Sequence, residues 1–106
     1  MGRRRIPTVS GSDPGHADRL RHRNADETLD LHGLEVWQAE SKVRFFLERT
    51  ARQHAGGVVR IVTGRGLHSS DGPRLREAVE ALLRERPEVA EQERALDGGS
   101  VLVRLR

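Results

Sequence analysis

The amino-acid sequence predicts an α/β domain whose elements follow one another in the order β-α-β-α-β-β. Three observations support this class. A short alternating segment and a β-branched run have the pattern of strands, and an amphipathic helical pattern follows each of them. Two further strand-like segments joined by a glycine turn close the chain. A strand, a helix and another strand in succession favour parallel strands linked by a right-handed crossover.

The composition is that of one small domain with a tail. The chain has 106 residues, 35% of them hydrophobic and 33% charged, so its core is modest. It contains no cysteine, which excludes disulfide bonds and thiolate metal sites. No apolar run is long enough to span a membrane, and the basic start MGRRRIP is not followed by the apolar stretch of a signal peptide. We therefore expect a soluble cytoplasmic protein.

Residues 1–25 are predicted to form a basic, disordered tail ahead of a folded domain over residues 26–106. Up to Asn24 the chain has six arginines against two aspartates, a net charge of +4, so the remainder of a chain of net charge +3 carries −1. The tail has too few large apolar residues to offset the entropy of ordering it. Its arginines either contact phosphates or keep the chain solvated, and both interpretations stay open. These residues are Arg3, Arg4, Arg5, Arg19, Arg21 and Arg23.

Two strands are predicted ahead of the second helix. The segment Thr28–His32 (TLDLH) alternates apolar and polar residues, and Gly33 ends it. The segment Val58–Thr63 (VVRIVT) is almost continuously β-branched, which is typical of a central strand covered by helices. We therefore expect the second strand to be a central strand of the sheet.

The first helix is predicted over Val36–His54, where apolar residues at steps of three and four form one stripe. Trp37 and Phe46 belong to that stripe, and we expect them in the core rather than on a base-stacking platform. Phe45 lies off the centre of the stripe, and its placement stays open.

The second helix is predicted to begin near Pro73, which suits a first helical turn because it lacks an N–H, and to end before Pro87. A weaker strand follows at Val89–Leu96, and Asp97–Gly99 has the pattern of a hairpin turn. The last strand is predicted at Val101–Leu105 (VLVRL), with alternate apolar residues on one face.

The predicted order brings two distant segments together. If the first two strands are parallel neighbours, both end at the same edge of the sheet. Asp30, His32 and Gly33 then lie beside the loop Gly64–His68, and this carboxyl edge is where open α/β sheets bind ligands.

The Gly64–His68 loop suits an anion. Gly64 and Gly66 allow positive φ and close backbone approach, so their N–H groups and the start of the second helix can donate to a phosphate. Arg65 adds a permanently charged fork, and Ser69 follows as a further candidate contact or as a helix cap. The spacing is not that of a P-loop, and a tight strand-to-helix turn is the alternative interpretation.

Asp30, His32 and His68 are the candidate catalytic residues. A carboxylate beside an imidazole fixes its tautomer and raises its basicity, which suits a general base. Two imidazoles at one phosphate suit RNA transesterification, in which one removes the 2′-hydroxyl proton and the other protonates the leaving oxygen. A structural turn is the alternative for Asp30 and His32. A divalent metal on the same three side chains is also possible, although no pattern fixes one and the sequence identifies no cofactor.

These segments resemble the Smr (small MutS-related) domain family. LDLHG at Leu29–Gly33, IVTGRGLHSS at Ile61–Ser70 and ALDGGSVLVRL at Ala95–Leu105 match its signatures in the right order. The similarity covers about residues 26–106. It implies a two-layer α/β sandwich with a mixed four-stranded sheet and two helices, like the C-terminal domain of a translation initiation factor.

The resemblance also implies DNA or RNA binding, often with endonuclease activity, and stand-alone bacterial members include RNases that cleave mRNA at stalled ribosomes. On the family pattern, Asp30 and His32 fall on the active-site motif, and Gly64, Arg65, Gly66 and His68 fall on the substrate-binding loop. We therefore expect a nucleic-acid endonuclease, with RNA favoured over DNA and a possible ribosome contact through the tail. The alternative is a non-catalytic adaptor that binds nucleic acid or the ribosome.

Overall fold

The computed structural model describes residue 20 and residues 23–64 and 72–106, with only the backbone described at residues 72 and 73. It confirms the predicted α/β class with two helices and one mixed four-stranded sheet. The elements are β1 Glu27–Asp30, α1 Val36–Gln53, β2 Val58–Val62, α2 Gly72–Glu85, β3 Val89–Arg94 and β4 Ser100–Leu105.

The strand order across the sheet is β1-β2-β4-β3. Strand β1 pairs in parallel with β2, and β4 lies antiparallel to both β2 and β3. Strands β2 and β3 therefore run in the same direction on either side of β4. Both strand-helix-strand units accordingly link parallel strands, as expected from the order of the elements.

Both helices contribute to a hydrophobic core on one face of the sheet. Alternate residues of the two central strands, such as Val59 and Ile61 on β2 and Val101 and Val103 on β4, are fully buried there. This covered face explains the β-branched composition of β2. The remaining core residues include Leu31, Ala39, Val43, Phe46, Leu47, Leu75, Val79, Leu82 and Leu83.

Helix α2 is attached to edge strand β3 by a polar contact as well as by apolar packing. The guanidinium of Arg94 donates two hydrogen bonds to the Glu80 carboxylate, at 2.7 and 3.0 Å. These bonds hold the pKa of Glu80 below its usual value. Because Glu80 is buried, an ionised and paired carboxylate is the form that this packing favours.

The opposite face of the sheet carries a smaller apolar cluster. Leu20 is only 1% exposed and packs with Val58, Ala95 and Leu102. Leu20 belongs to the segment predicted as a tail, so part of that segment covers the sheet. The contact is side-chain burial with a local turn, in which the N–H of Arg23 donates to the Leu20 carbonyl at 2.9 Å.

Trp37 is the principal correction to the predicted core. Its side chain is 65% exposed, whereas Phe46 is buried as expected, and Phe45 is 71% exposed. Val43 lies at the centre of the buried face of the helix. At 100° per residue, Trp37 lies about 120° around the helix from Val43. This angle places the Trp37 side chain on the outer side of the helix, although it follows an apolar residue of the stripe in the sequence.

Several element boundaries differ by one or two residues from those predicted. Strand β1 ends at Asp30 rather than His32, because His32 and Gly33 form a turn, with Gly33 at φ 80°. Strand β3 ends at Arg94 rather than Leu96, and Leu96 is 75% exposed in the following turn. The turn geometry decided both ends, and an alternating pattern does not show where pairing stops.

Candidate functional site

The carboxyl ends of β1 and β2 meet at one edge of the sheet, as predicted. Asp30 is paired with Val62, and the N–H of the next residue, Leu31, donates to the Val62 carbonyl at 2.7 Å. A Cβ placed on Gly64 would lie 3.5 Å from the Cβ of His32. The first turn after β1 and the first residues after β2 are therefore direct neighbours, although more than thirty positions separate them in the sequence.

Asp30 and His32 form a hydrogen-bonded pair at this edge. The Nδ1 atom of His32 lies 2.6 Å from Oδ1 of Asp30, and the backbone N–H of His32 donates to the same oxygen at 3.0 Å. The side-chain bond from His32, followed by the backbone bond, holds the pKa of Asp30 below its usual value. An ionised carboxylate only accepts hydrogen bonds, so the proton of the neutral imidazole is assigned to Nδ1 and its lone pair to Nε2.

The pair is accessible to a large ligand. The His32 side chain is 72% exposed and that of Asp30 is 55% exposed. A substrate can therefore approach the imidazole without any rearrangement of the core. The exposure also means that the attraction between the two groups is screened by water, so the pair serves to orient the ring more than to stabilise the fold.

The turn after β1 fixes where the imidazole stands. Leu31 is fully buried in the core, and its carbonyl accepts the N–H of Leu34 at 3.1 Å. Between them, Gly33 adopts φ 80°, a backbone conformation that favours glycine. Helix α1 begins immediately afterwards, where the side chain of Gln38 accepts the N–H of Glu35 at 3.1 Å. His32 is thus held between a buried leucine and a helix start.

The turn between β3 and β4 holds Gly64 in place, which the sequence analysis did not predict. The carbonyl of Gly99 accepts the N–H groups of Thr63 and Gly64, at 2.9 and 3.0 Å. Asp97 in turn accepts the Gly99 N–H at 2.8 Å and the Ser100 hydroxyl at 2.8 Å. The Asp97–Gly99 pattern indicated only a hairpin, since no local signal shows which distant backbone groups a turn will bind.

Arg60 completes this support from the face of the sheet opposite the helices. Its Nη1 donates to Asp97 at 3.1 Å and to the Ser100 hydroxyl at 3.2 Å. The backbone N–H of Gly99, with help from the Ser100 hydroxyl and Arg60, keeps the pKa of Asp97 below its usual value. A cavity of about 260 Å³ lies between these groups and Gly64, so polar side chains line the surface next to the Asp30–His32 pair.

The other predicted site residues lie outside the described residues. These are Arg65, Gly66, His68 and Ser69 of the loop, and Arg3, Arg4, Arg5, Arg19 and Arg21 of the tail. Arg23 is described and exposed. Among the described residues, no three histidine or acidic side chains come together as a metal site. The part of the chain that the structure describes also has no helix that is long and apolar enough to cross a bilayer.

The fold and the site together define a small α/β domain with an Asp-x-His pair at the carboxyl edge of its parallel strands. The family model of the Smr domain matches residues 29–106, and the chain therefore belongs to the Smr domain family. This family is associated with nucleic-acid binding and endonuclease activity.

A solved structure agrees with this assignment. The crystal structure of the Smr domain of Thermus thermophilus MutS2 matches with a TM-score of 0.64 and 27% sequence identity. The match covers 76% of this chain and 98% of that chain. No curated protein sequence matches the chain significantly. The similarity to the MutS2 domain supports the two-helix, four-strand architecture described above.

Proposed function

We propose that this protein is an endonuclease that cleaves RNA by transesterification. The observation that carries the proposal is the Asp30–His32 hydrogen bond of 2.6 Å at a sheet edge shared with Gly64. It supplies an oriented, accessible imidazole whose Nε2 is free to take a proton. Membership of the Smr family supports the same class of chemistry.

In the proposed reaction, Nε2 of His32 removes the proton of a ribose 2′-hydroxyl. The 2′-oxygen then forms a bond to the adjacent phosphorus, and the bond from phosphorus to the 5′-oxygen of the next nucleotide breaks. His68 gives that leaving oxygen a proton, so the products are a 2′,3′-cyclic phosphate and a 5′-hydroxyl. Asp30 orients His32 and stabilises the imidazolium that forms, as carboxylates do beside catalytic histidines.

Phosphate binding is assigned to the loop after β2. Arg65 and the N–H of Gly66 would contact the phosphate, with Gly33, Gly64 and Ser69 at its margins. The N–H of Gly64, expected from the sequence to donate to the phosphate, donates instead to the Gly99 carbonyl. Removing the positive charge of Arg65 should then weaken binding of every RNA sequence to a similar extent, because phosphate contacts carry no sequence information.

The deciding experiment compares His32→Ala with the parent on single-stranded RNA. We expect the rate of cleavage to fall by about 10²- to 10⁴-fold, the usual contribution of a general base, while the Kd for RNA changes little. His54→Ala is the matched control, since His54 bonds to Glu27 away from the site. The His54→Ala protein should cleave RNA at the parent rate. Equal cleavage by the His32→Ala and parent proteins, each free of contaminating nuclease, would exclude the assignment.

A substrate variant tests the transesterification step separately. An RNA with one 2′-deoxy nucleotide should resist cleavage at that position and yield no cyclic phosphate there. Cleavage of the deoxy position, or of duplex DNA at a similar rate, would indicate attack by water instead. Parallel assays with and without chelator measure any need for a divalent metal.

The adaptor alternative gives a different result in the same assay. An adaptor binds RNA tightly and with strong salt dependence but leaves no cut product in parent or variant. Ribosome association, the finer form of the proposal, is measured by co-sedimentation with ribosomes before and after the arginines at positions 3–5 are replaced by alanine.

A further inference from the structure

The outer face of α1 carries two exposed aromatic rings. Trp37 is 65% exposed and Phe45 is 71% exposed, and they are two of the three aromatic side chains in the protein. Rings of this size are usually buried, because removing their apolar surface from water stabilises a fold. Helix α1 instead places both on the side opposite its buried face of Val43, Phe46 and Thr50. Exposed rings grouped on one helix face are typical of a binding surface.

These rings lie in one row along the helix. Trp37, Ser41 and Phe45 are spaced by four residues, so their side chains stack along one side of α1. Arg52, seven residues beyond Phe45, continues the same row. We call these four residues the α1 outer face. Trp37 and Phe45 are about 12 Å apart along the helix axis, since each residue advances it by 1.5 Å.

The surroundings of the α1 outer face are mainly cationic. Lys42, Arg44 and Arg52 are exposed, and among the residues that the structure describes none of the three has an acidic partner. Two acidic residues of α1 lie nearby: Glu40, four residues before Arg44, and Glu48, which is 3.7 Å from Arg86 and lines the same cavity as Phe45. Phe45, Lys42 and Arg52 also help to line a cavity of about 540 Å³. Aromatic rings next to unpaired cations suit a ligand that has both flat apolar groups and negative charges.

The α1 outer face begins at the candidate active site. Trp37 is in the first turn of α1, only five residues after His32, at the edge where β1 ends. Phe45 lies two turns further from that edge. A strand cleaved beside His32 that continues past Trp37 would therefore run along α1 toward Phe45.

We propose that the α1 outer face binds the single-stranded RNA that flanks the cleavage position, with bases stacked on Trp37 and Phe45. Lys42, Arg44 and Arg52 neutralise the phosphates between those bases. This inference rests on the proposed function, because it extends the same substrate. A single strand is favoured since sequence-tolerant sites for it combine aromatic stacking with a basic surface.

The single tryptophan of the chain provides a direct readout. The His32→Ala protein, which keeps RNA intact, is titrated with a 12-nucleotide oligouridylate, and both Trp37 emission and the anisotropy of a labelled RNA are measured. We expect quenching of Trp37 that saturates with the anisotropy. Phe45→Ala should raise the Kd by between about 5-fold and 150-fold, the range for loss of one stacked base.

Two matched controls separate stacking from general effects. Phe45→Leu keeps an apolar side chain but removes the ring, so it should weaken RNA binding nearly as much as Phe45→Ala. Arg52→Ala should weaken binding and reduce its salt dependence, whereas Arg84→Ala, in the last turn of α2, should leave both unchanged.

Each other outcome contradicts the inference, the proposed function or both. If RNA binds without a change in Trp37 emission, or with the same Kd in Phe45→Ala, it binds elsewhere on the protein. If no RNA binds at all, the α1 outer face is not an RNA-binding site. Emission that shifts with protein concentration in the absence of RNA indicates a second copy of this chain as the occupant. A parent that binds through Trp37 but never cuts contradicts the proposed function alone, whereas one that cuts while Phe45→Ala binds normally contradicts only this inference.

Discussion

At the scale of single residues, the candidate site depends on where one imidazole and one glycine stand. Asp30 binds the His32 ring and backbone through one oxygen, so ring orientation and main-chain turn are fixed together. Gly64 lies beside the same histidine, since a Cβ placed on it would be 3.5 Å from the His32 Cβ, and it adopts φ 85°. The sequence predicted this meeting on the condition that the two parallel strands are neighbours, and the structure confirms that they are.

Gly64→Ala is expected to impair both stability and cleavage. Alanine at φ 85° is strained, so the free energy of unfolding should fall by about 1–2 kcal/mol. At 3.5 Å from His32 the new methyl group makes only an ordinary van der Waals contact, so the strained backbone is the cause of the change. A loop that shifts beside His32 to relieve this strain should lower kcat/KM by between about 10-fold and 10²-fold.

Gly56→Ala is the control for this change. Gly56 has a similar φ of 78°, but a Cβ there would meet nothing within 4 Å. It should lose comparable stability in urea denaturation while keeping full kcat/KM in the folded protein. Equal kcat/KM for the two alanine variants would show that the backbone conformation of Gly64 beside His32 has no role in cleavage.

At the scale of elements, the β3–β4 turn acts as a support for the loop after β2. The carbonyl of Gly99 accepts hydrogen bonds from the backbone N–H groups of both Thr63 and Gly64. Asp97 keeps the turn closed through Gly99 and Ser100, and Arg60 from β2 binds the same carboxylate. A hairpin that pairs β3 with β4 thereby also determines the path of the chain beside His32.

Asp97→Ala should therefore destabilise the fold by about 1 kcal/mol, a value reduced for the partial exposure of this carboxylate, and slow cleavage. Because the folded pKa of Asp97 is depressed, its contribution is fully present above the unfolded value near 3.8 and is lost as pH falls through the lower folded value. Urea denaturation from pH 7 down to pH 2 measures it.

Asp97→Asn separates geometry from charge. The asparagine carbonyl can still accept the Gly99 N–H, so this variant should retain more activity than Asp97→Ala, and it should lack the acid-dependent loss of stability assigned to Asp97. An unchanged pH profile in both variants would contradict the role given to the carboxylate.

At the scale of the whole molecule, the two helices cover one face of the sheet, and a smaller apolar cluster lies on the other face. Leu20 occupies part of the second face, against Val58 and Leu102. A segment that composition alone describes as a basic tail thus contributes a core residue. Experiments that remove the tail must therefore distinguish loss of arginines from loss of Leu20.

Leu20→Ala is expected to destabilise the protein by about 2–4 kcal/mol, the cost of removing a buried leucine side chain. Leu96→Ala is the matched control, since Leu96 is 75% exposed and its replacement should change stability by less than about 0.5 kcal/mol. Thermal and urea unfolding measure both variants. If Leu20→Ala and Leu96→Ala have the same free energy of unfolding, the cluster of Leu20 with Val58, Ala95 and Leu102 does not stabilise the fold.

Particular residues show how far sequence reasoning extends. The class, the element order and the juxtaposition of Asp30, His32 and Gly64 followed from hydrophobic periodicity and from the direction rule for strand-helix-strand units. The prediction that Trp37 lies in the core is wrong. Its position about 120° around the helix from Val43 places it outside the apolar stripe. The Asp97–Gly99 hairpin turn was predicted, but no local signal showed that it would bind Thr63 and Gly64 or that Leu20 would be buried.

The sequence by itself determined which segments become helices and strands, since those periods are properties of neighbouring residues. Only the tertiary structure decided which surfaces are covered and which distant backbone groups bond. The exposure of Trp37 and Phe45, the burial of Leu20 and the bond from Gly64 to Gly99 are of this kind. The physical reason is that burial and backbone pairing depend on strand order across the sheet, which brings together residues that are far apart along the chain.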